Sequence, residues 1–250
     1  MTNKEMTTSG STSKANKIVI GVVCSLVIIS FAGLKINTWI KKNNQKNIPA
    51  PIEQVKSNDS ENILKVKDIT TEDHFVGSLT APVKIIVYLD FEDKYSLEYK
   101  DILAQVKNSF GEQVVLAVRQ YPVVEVHANA FSAALASECA GEQDKFWEMY
   151  EELFLANKEN RLFGDEYLVM AKKIGLDEAS FVQCLASEKY KDKVLNQYKG
   201  GKEVTVIGTP TTFINGKLVT GANSFEDSTR SDGTAVIGLK NLINNILVGK

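Results

Sequence analysis

The chain has 250 residues, of which 44% are hydrophobic and 24% are charged, so it can bury one sizeable core and is not disordered throughout. Positions 1–46 hold seven of its 29 basic residues but only one of its 31 acidic residues. The 22 basic and 30 acidic residues that remain give the body of the chain eight excess negative charges. An acidic body argues against nucleic acid as a partner.

Cysteine and histidine are sparse. Cys24, Cys139 and Cys184 are too few for a small disulfide scaffold and too widely spaced for a metal site. His74 and His127 have no Cys, His or carboxylate neighbour at ligand spacing. We therefore expect no metal site and no cofactor, and we expect His127 to order the loop that enters its helix.

The N-terminal quarter divides into three segments. Residues 1–17 are a polar head rich in Thr, Ser, Asn and Lys, a composition typical of disorder. Residues 18–40 include the uncharged run from Ile18 to Leu34, whose length lies between a signal-peptide core and a full membrane span. We favour an uncleaved transmembrane anchor, because the run is longer than a usual signal core. A signal peptide cleaved near Ser30-Phe31-Ala32 is the alternative.

Residues 41–61 are polar, with two prolines and almost no large apolar side chain, so a flexible linker is predicted. Residues 62–250 are predicted to form one folded domain. Ile63 to Val66 is a short first strand in this prediction. Val83 to Leu89 is an apolar, β-branched run typical of a central strand that is covered on both faces.

The spacing of apolar residues becomes helical from Lys94 to Phe110, and Val114 to Arg119 again has the pattern of a strand. A strand, a helix and a strand at these spacings predict a right-handed parallel crossover. Amphipathic segments then predict a helical insertion between two halves of a sheet, with helices over Ala128 to Ala140, Lys145 to Ala156, Glu166 to Ile174, Glu178 to Ser187 and Tyr190 to Lys199.

The second half of the sheet follows the insertion. Thr211 to Ile214 and Leu218 to Thr220 flank Asn215-Gly216, which is a strong signal for a two-residue hairpin turn. A closing helix is predicted from Thr234 to Leu247. The whole pattern predicts an α/β domain.

Chemistry in open α/β sheets concentrates at the carboxyl end of a central strand, where the next helix presents free backbone N–H groups. Asp93 and Ser96 lie at this joint. We expect Asp93 to cap the helix. Ser96 could act as a nucleophile, but no base stands beside it in the sequence.

Four stretches carry a family resemblance: DHFVGSLTAPVKIIVYLDF, HANAFSAALASECAGEQDKFWEMYEELF, FVQCLASEKY and GTPTTFINGKLVTGA. In this order they resemble the DsbA-like branch of the thioredoxin superfamily, from about Asp73 to the C-terminus. The resemblance implies a thioredoxin-like fold with a helical insertion, here preceded by the transmembrane segment. It also implies a thiol-disulfide oxidoreductase.

The chain departs from that family at its reactive centre. Where members carry Cys-Pro-x-Cys, this chain reads Asp93, Lys94, Tyr95 and Ser96, so both redox thiols are missing. Many members have a buried acidic residue six positions earlier, and Val87 stands there. The resemblance therefore leaves open whether the protein is an enzyme.

Thr209-Pro210 resembles the family's cis-proline loop, which pairs with an extended substrate segment. An ordinary turn-forming proline is the alternative. The resemblance implies that Tyr95, Thr209 and Pro210 line a peptide-binding edge, a form of recognition by strand addition. We expect the Asp93 charge to be exposed and to contribute little to polypeptide affinity.

Cys139 and Cys184 lie on two helices of the insertion. They are either two buried thiols that act as small apolar residues, or a disulfide formed outside the cytoplasm. Both interpretations stay open at this stage.

These observations predict a domain tethered to the cytoplasmic membrane by a single span, without redox activity of its own. It would bind unfolded or extended polypeptide, or an envelope protein. The positive-inside count slightly favours a cytoplasmic domain, but the resemblance implies the extracytoplasmic side, which we expect. Cleavage of the N-terminal segment would make the protein secreted. The alternative function is a thiol-disulfide oxidoreductase that acts in disulfide formation through Cys139 and Cys184.

Overall fold

The structure is a computed structural model that describes residues 65–220 and 222–249. The predicted polar head, transmembrane segment and linker over residues 1–61 lie outside the described residues. Within the described part of the chain, no helix combines the length and the apolar character needed to cross a membrane.

Five strands form one sheet: β1 (His74–Val76), β2 (Val83–Leu89), β3 (Val114–Gln120), β4 (Thr211–Ile214) and β5 (Lys217–Thr220). Their order in the sheet is β1-β3-β2-β4-β5. The central strands, β2 and β3, are parallel and are joined by helix α1 (Lys94–Phe110). Strand β1 pairs antiparallel with β3, and β4 pairs antiparallel with β2. The parallel pairing of the predicted crossover is confirmed.

The two central strands are apolar on both sides because both sides are covered. In β2, Val83, Ile85 and Val87 face a core formed with α1 and the helical insertion. Ile86 and Tyr88 face a smaller core on the opposite side of the sheet. Burial on both faces is the reason that the strand reads as a continuous hydrophobic run.

The predicted strand from Ile63 to Val66 is wrong for the residues that the structure describes. Residues 65–70 have no regular secondary structure, and the first strand is β1. The carbonyl groups of Lys67 and Asp68 accept hydrogen bonds from Arg119 Nη1 and Nη2, both at 3.0 Å, instead of joining a strand. Arg119 also binds both carboxylate oxygens of Asp73, at 2.8 and 3.0 Å.

The insertion contains five helices within the described residues, as predicted, with shifted ends. The last of them, α6 (Lys191–Glu203), includes Gly200 and Gly201 and ends four residues later than predicted. A Cβ on Gly201 would lie 2.8 Å from Tyr121 Cδ2, so this glycine serves close packing. The five helices are α2 (Ala130–Gly141), α3 (Phe146–Lys158), α4 (Glu166–Lys173), α5 (Glu178–Ala186) and α6 (Lys191–Glu203).

The hairpin of β4 and β5 (Lys217–Thr220) is confirmed. Its turn residues Asn215 and Gly216 have φ angles of 46° and 80°, the left-handed region that such turns require. The Asn215 side chain accepts a hydrogen bond from Lys84 N at 2.7 Å and donates one to Pro82 O at 3.0 Å. The turn therefore also fixes the start of β2.

The closing helix is shorter than predicted. Residues from Thr234 instead continue into β7 (Ala235–Val236), which pairs with β6 (Ser228–Thr229). Helix α7 (Leu239–Leu247) then begins after Gly238, where a Cβ would lie 2.3 Å from the Glu226 carbonyl carbon. Two backbone segments thus approach each other closely directly before the start of α7.

Cys139 and Cys184 form a disulfide that joins α2 to α5, with the two Cα atoms 5.8 Å apart. Both residues are buried. The sequence left open whether these residues are two free thiols or a disulfide, and the structure contains the disulfide.

Candidate functional site

Asp93 is the N-cap of α1, as predicted. Its Oδ1 accepts a hydrogen bond from Tyr95 N at 3.1 Å, and its Oδ2 accepts one from Ser96 N at 2.9 Å. A side chain that satisfies these free N–H groups fixes the start of a helix. The joint between β2 and α1 is therefore held by a carboxylate at the position of the family's first cysteine.

The same carboxylate also binds the proline loop. Asp93 Oδ2 accepts a hydrogen bond from Ser96 Oγ at 2.8 Å and one from Thr209 Oγ1 at 3.0 Å. Asp93 is only 5% exposed. The expectation of an exposed charge is wrong, because Thr209, which is distant in sequence, covers the carboxylate and uses it as an acceptor.

Ser96 is buried as well, and its hydroxyl lies within a closed network. Besides donating to Asp93, its oxygen lies 3.4 Å from Asp90 N, which donates to it. The acidic partner that the sequence did not reveal is Asp93 itself, three positions earlier. This arrangement holds the helix start together and leaves the hydroxyl without an open approach for a reacting substrate.

The Thr209–Pro210 peptide bond is cis. Thr211 Oγ1 donates a hydrogen bond to Gly208 O at 2.7 Å and orders the loop from its other side. Pro210 is buried, whereas Ile207, two residues before Thr209, is 91% exposed. The structure thus brings together the Asp93 and Thr209 positions that the resemblance singled out.

Tyr95 and Lys94 point outward from the first turn of α1. Tyr95 is 54% exposed, and Lys94 Nζ lies 5.2 Å from the centroid of its ring. A cation over an aromatic face at this distance is a favourable contact. The two middle positions of the motif therefore form an accessible surface above the buried pair Asp93 and Ser96.

A pair beside the motif, buried Asp90 and partly exposed His127, could not be inferred from the sequence. Asp90 Oδ2 accepts hydrogen bonds from His127 Nδ1 and from Val123 N, both at 2.8 Å. Asp90 Oδ1 accepts one from Glu92 N at 2.8 Å. His127 orders the loop before its helix, as predicted, and it does so by binding to the motif loop.

The hydrogen bond to Asp90 raises the pKa of His127 above its ordinary value of 6.5. Partial burial opposes this increase, whereas the negative charges of Asp90, Asp93 and Glu92 add to it. In the sequence, Asp90 is recognisable only as an aspartate that directly follows a predicted buried strand. Its partner lies 37 positions away, and no local pattern identifies it.

Two further contacts attach neighbouring segments to the motif loop. Glu92 accepts hydrogen bonds from Asn129 N and Asn129 Nδ2, at 2.5 and 2.8 Å. Asn157, near the end of α3, donates from Nδ2 to Phe91 O at 2.8 Å. Residues 90–96 are thus bound to the loop before α2, to α3 and to the proline loop.

Below the motif, Val87 is fully buried at the position where many members of the resembled family have an acid. The nearest cross-strand residue on β4 is Thr212, whose Oγ1 lies 2.9 Å from Tyr99 Oη. Burial raises the pKa of Tyr99 to about 12, although the hydrogen bond with Thr212 lowers it somewhat. No carboxylate occupies position 87 to exchange protons with the residues above it.

A cavity of about 840 Å³ lies between α6 and residues 65–74, away from the motif loop. On its wall, buried Glu138 contacts His74 Nε2 at 2.8 Å and Lys193 Nζ at 2.7 Å. Burial raises the pKa of Glu138, but the hydrogen bond and charge of His74 and the charge of Lys193 outweigh it and lower that pKa. In the described ranges, no group of three or more Cys, His, Asp or Glu side chains could hold a metal ion.

A protein-family model described as Thioredoxin matches residues 69–231. Among solved structures, BdbD from Bacillus subtilis has a TM-score of 0.61 at 18% identity, over 74% of this chain and 98% of that one. The thiol-disulfide exchange protein alpha-DsbA2 from Wolbachia pipientis has a TM-score of 0.57 at 18% identity, over 72% of this chain and 88% of that one. At such identities the likeness is one of fold.

The curated relatives that match are longer proteins. An Na(+)/H(+) antiporter NhaA 1 from Salinispora arenicola is 28% identical over 86% of this chain and 33% of its own length. One from Mycobacterium sp. (strain KMS) is 30% identical over 79% of this chain and 30% of its own length. The chain thus spans about a third of the length of these relatives.

Proposed function

Because the chain belongs to the thioredoxin family and has a DsbA-like fold, we propose that it is a membrane-tethered extracytoplasmic domain that binds extended polypeptide without redox chemistry of its own. One observation carries this proposal. The buried Asp93 carboxylate binds the start of α1 and the proline loop together. These bonds fix the motif and the proline loop relative to each other, and neither Asp93 nor Ser96 is a thiol.

The proposed lack of redox chemistry is supported by what Asp93 and Ser96 can do. Disulfide exchange needs a thiolate that attacks a sulfur atom and a second thiol that resolves the mixed disulfide. A carboxylate and a hydroxyl can carry out neither step. The Asp93 carboxylate keeps the negative charge that a thiolate would have beside the N-terminus of α1, where the helix dipole favours it.

Polypeptide binding is supported by the side chains around Asp93. Three segments meet at the motif, and each carries one large apolar side chain that is exposed. Tyr95 comes from α1, Val126 (72% exposed) comes from the loop before α2, and Ile207 comes from the proline loop. Burying such side chains against a guest would contribute roughly 1.5 to 3 kcal/mol each at full burial. Strand addition along the proline loop would supply backbone hydrogen bonds.

The alternative function, disulfide exchange through Cys139 and Cys184, has less support. Their relative exposures are 1% and 5%, and both belong to the main hydrophobic core. Catalytic cysteines lie in partly exposed, electropositive surroundings, where a substrate sulfur can approach. A disulfide in the core fits a structural role better.

The proposed location of the domain at a membrane is supported by the apolar run at residues 18–34. The matching portions of the curated relatives belong to proteins named Na(+)/H(+) antiporters. An envelope membrane protein is therefore a second class of partner for the same surface.

The test is a titration of fluorescently labelled unfolded polypeptide, followed by anisotropy. Tyr95→Ala and Ile207→Ser should each weaken binding by about tenfold, because each removes about 1.4 kcal/mol of apolar contact. Val169→Ser is the matched control, since Val169 is 59% exposed on α4, outside the three segments.

The control should bind as the wild type does. If Tyr95→Ala and Ile207→Ser bind no more weakly than Val169→Ser, this surface is not the binding site. Circular dichroism of each variant establishes that its fold is retained.

A further inference from the structure

We infer that His127 is a pH-dependent positioning residue for this site: its protonated ring holds Val126 and the loop at residues 121–129 against the motif loop, so polypeptide binding weakens as the pH rises. This inference concerns the regulation of the proposed binding site and rests on that function.

The geometry places the histidine between two loops that carry the binding surface. His127 Nδ1 contacts Asp90 Oδ2 at 2.8 Å, and Val123 N donates to the same oxygen. Within the loop, Val126 N and His127 N donate to Val123 O at 3.1 and 3.0 Å. The position of Val126 therefore depends on the contacts of one carboxylate oxygen.

Charge makes this contact sensitive to protonation. The Asp90 side chain is fully buried, whereas that of His127 is 25% exposed and can exchange protons with solvent. The charged groups that face His127 are the carboxylates of Asp90, Glu92 and Asp93. An imidazolium at this position compensates a buried negative charge, which is costly to leave without a cation.

The direction of the pH effect follows from the sign of the shift. The pKa of His127 is raised in the folded protein, mainly by its hydrogen bond to Asp90. The stabilisation is therefore fully present below the ordinary pKa of the residue and is lost as the pH rises through the folded value. Above that value a neutral hydrogen bond remains, and the loop loosens while the fold persists.

The experiment uses a labelled extended polypeptide with blocked termini and no ionisable side chains, so that only the protein titrates. Its affinity is measured by anisotropy from about pH 5.5 to about pH 8.5. For the wild type we expect affinity to fall by about threefold to tenfold across this range. His127→Gln, whose amide can still donate to Asp90 but carries no charge, should show a flat profile.

The matched control is His74→Gln, which removes the only other histidine of the chain. It should keep the wild-type profile. Because there are two histidines, the ring resonances in NMR are assigned by comparing the two variants. The titration midpoint of the His127 ring should coincide with the midpoint of the affinity change.

A wild-type affinity that does not change with pH would overturn the inference and leave the proposed function intact. So would a pH dependence that survives in His127→Gln or disappears in His74→Gln. Absence of binding at every pH would instead contradict the proposed function, and the inference would fail with it.

Discussion

At the start of α1, one oxygen atom connects two parts of the chain that are 116 positions apart. Asp93 Oδ2 accepts hydrogen bonds from Ser96 N, from the Ser96 hydroxyl and from the Thr209 hydroxyl. A buried carboxylate with several donors contributes more than a surface cap, because removing it leaves those donors without an acceptor. Asp93 is thus both a helix cap and the link between motif and proline loop.

Asp93→Ala should lower the free energy of unfolding by about 2 to 4 kcal/mol. Loss of the cap accounts for about 1 kcal/mol, and the unsatisfied buried donors account for the rest. The measurement is urea denaturation followed by circular dichroism.

Asp177 provides a matched control, because its exposed carboxylate caps α5 through Ser180 N at 2.8 Å. Its distant partner, Gln143, binds the backbone N–H and C=O of Asp177, which the substitution leaves in place. Asp177→Ala should cost about 1 kcal/mol. Equal losses in the two variants would mean that Asp93 acts as a cap alone.

At the scale of elements, helix α2 links the helices of the insertion to one another. The disulfide joins α2 to α5, and the ion pair of Glu138 with Lys193, at 2.7 Å, joins α2 to α6. Lys189, between α5 and α6, also pairs with Glu142 at the end of α2. The covalent bond and two ion pairs thus restrain the same three helices.

The double variant Cys139→Ser, Cys184→Ser should lose about 4 kcal/mol of stability. The disulfide closes a loop with a sequence separation of 45, and restricting a loop of this size in the unfolded chain gives that value in the chain-entropy model. Urea denaturation with and without reductant measures it.

Reductant should lower the stability of the wild type to that of the double variant and leave the double variant unchanged. A loss below about 1 kcal/mol would show that the helices are held together without the covalent bond.

Most elements could be predicted from the sequence, because their signals are local. The Asn215-Gly216 turn and the apolar run of β2 are examples. Helix α6 was predicted too short, ending at Lys199, and the close packing of Gly201 against Tyr121 depends on the tertiary fold. The burial of Asp93 and its bond to Thr209 depend on the tertiary fold, as does the pairing of Asp90 with His127.

On the scale of the whole molecule, the protein has the DsbA-like fold while both thiol positions of its motif hold other residues. The environment for a thiolate is nonetheless present, since Tyr95 N and Ser96 N point at the Asp93 carboxylate. The fold is thus retained in a domain whose motif contains no thiol.

Wild-type protein should not reduce insulin in a turbidity assay. The triple variant Asp93→Cys, Lys94→Pro, Ser96→Cys should show partial activity, because the start of α1 can stabilise a thiolate but Val87 supplies no acid for proton transfer. This variant also serves as the positive control. Insulin reduction by the wild type that is lost in Cys139→Ser, Cys184→Ser would instead establish the alternative function.

If the domain is held by its N-terminal end, as proposed, Arg119 has a mechanical consequence. Its guanidinium binds the carbonyl groups of Lys67 and Asp68 and the carboxylate of Asp73, and it belongs to β3, which lies between β1 and β2. A pulling force that enters through residue 65 would meet these contacts before it reached the sheet. Four hydrogen bonds that centre on one rigid, planar group would share that load, and β1 would be protected from being peeled off the edge.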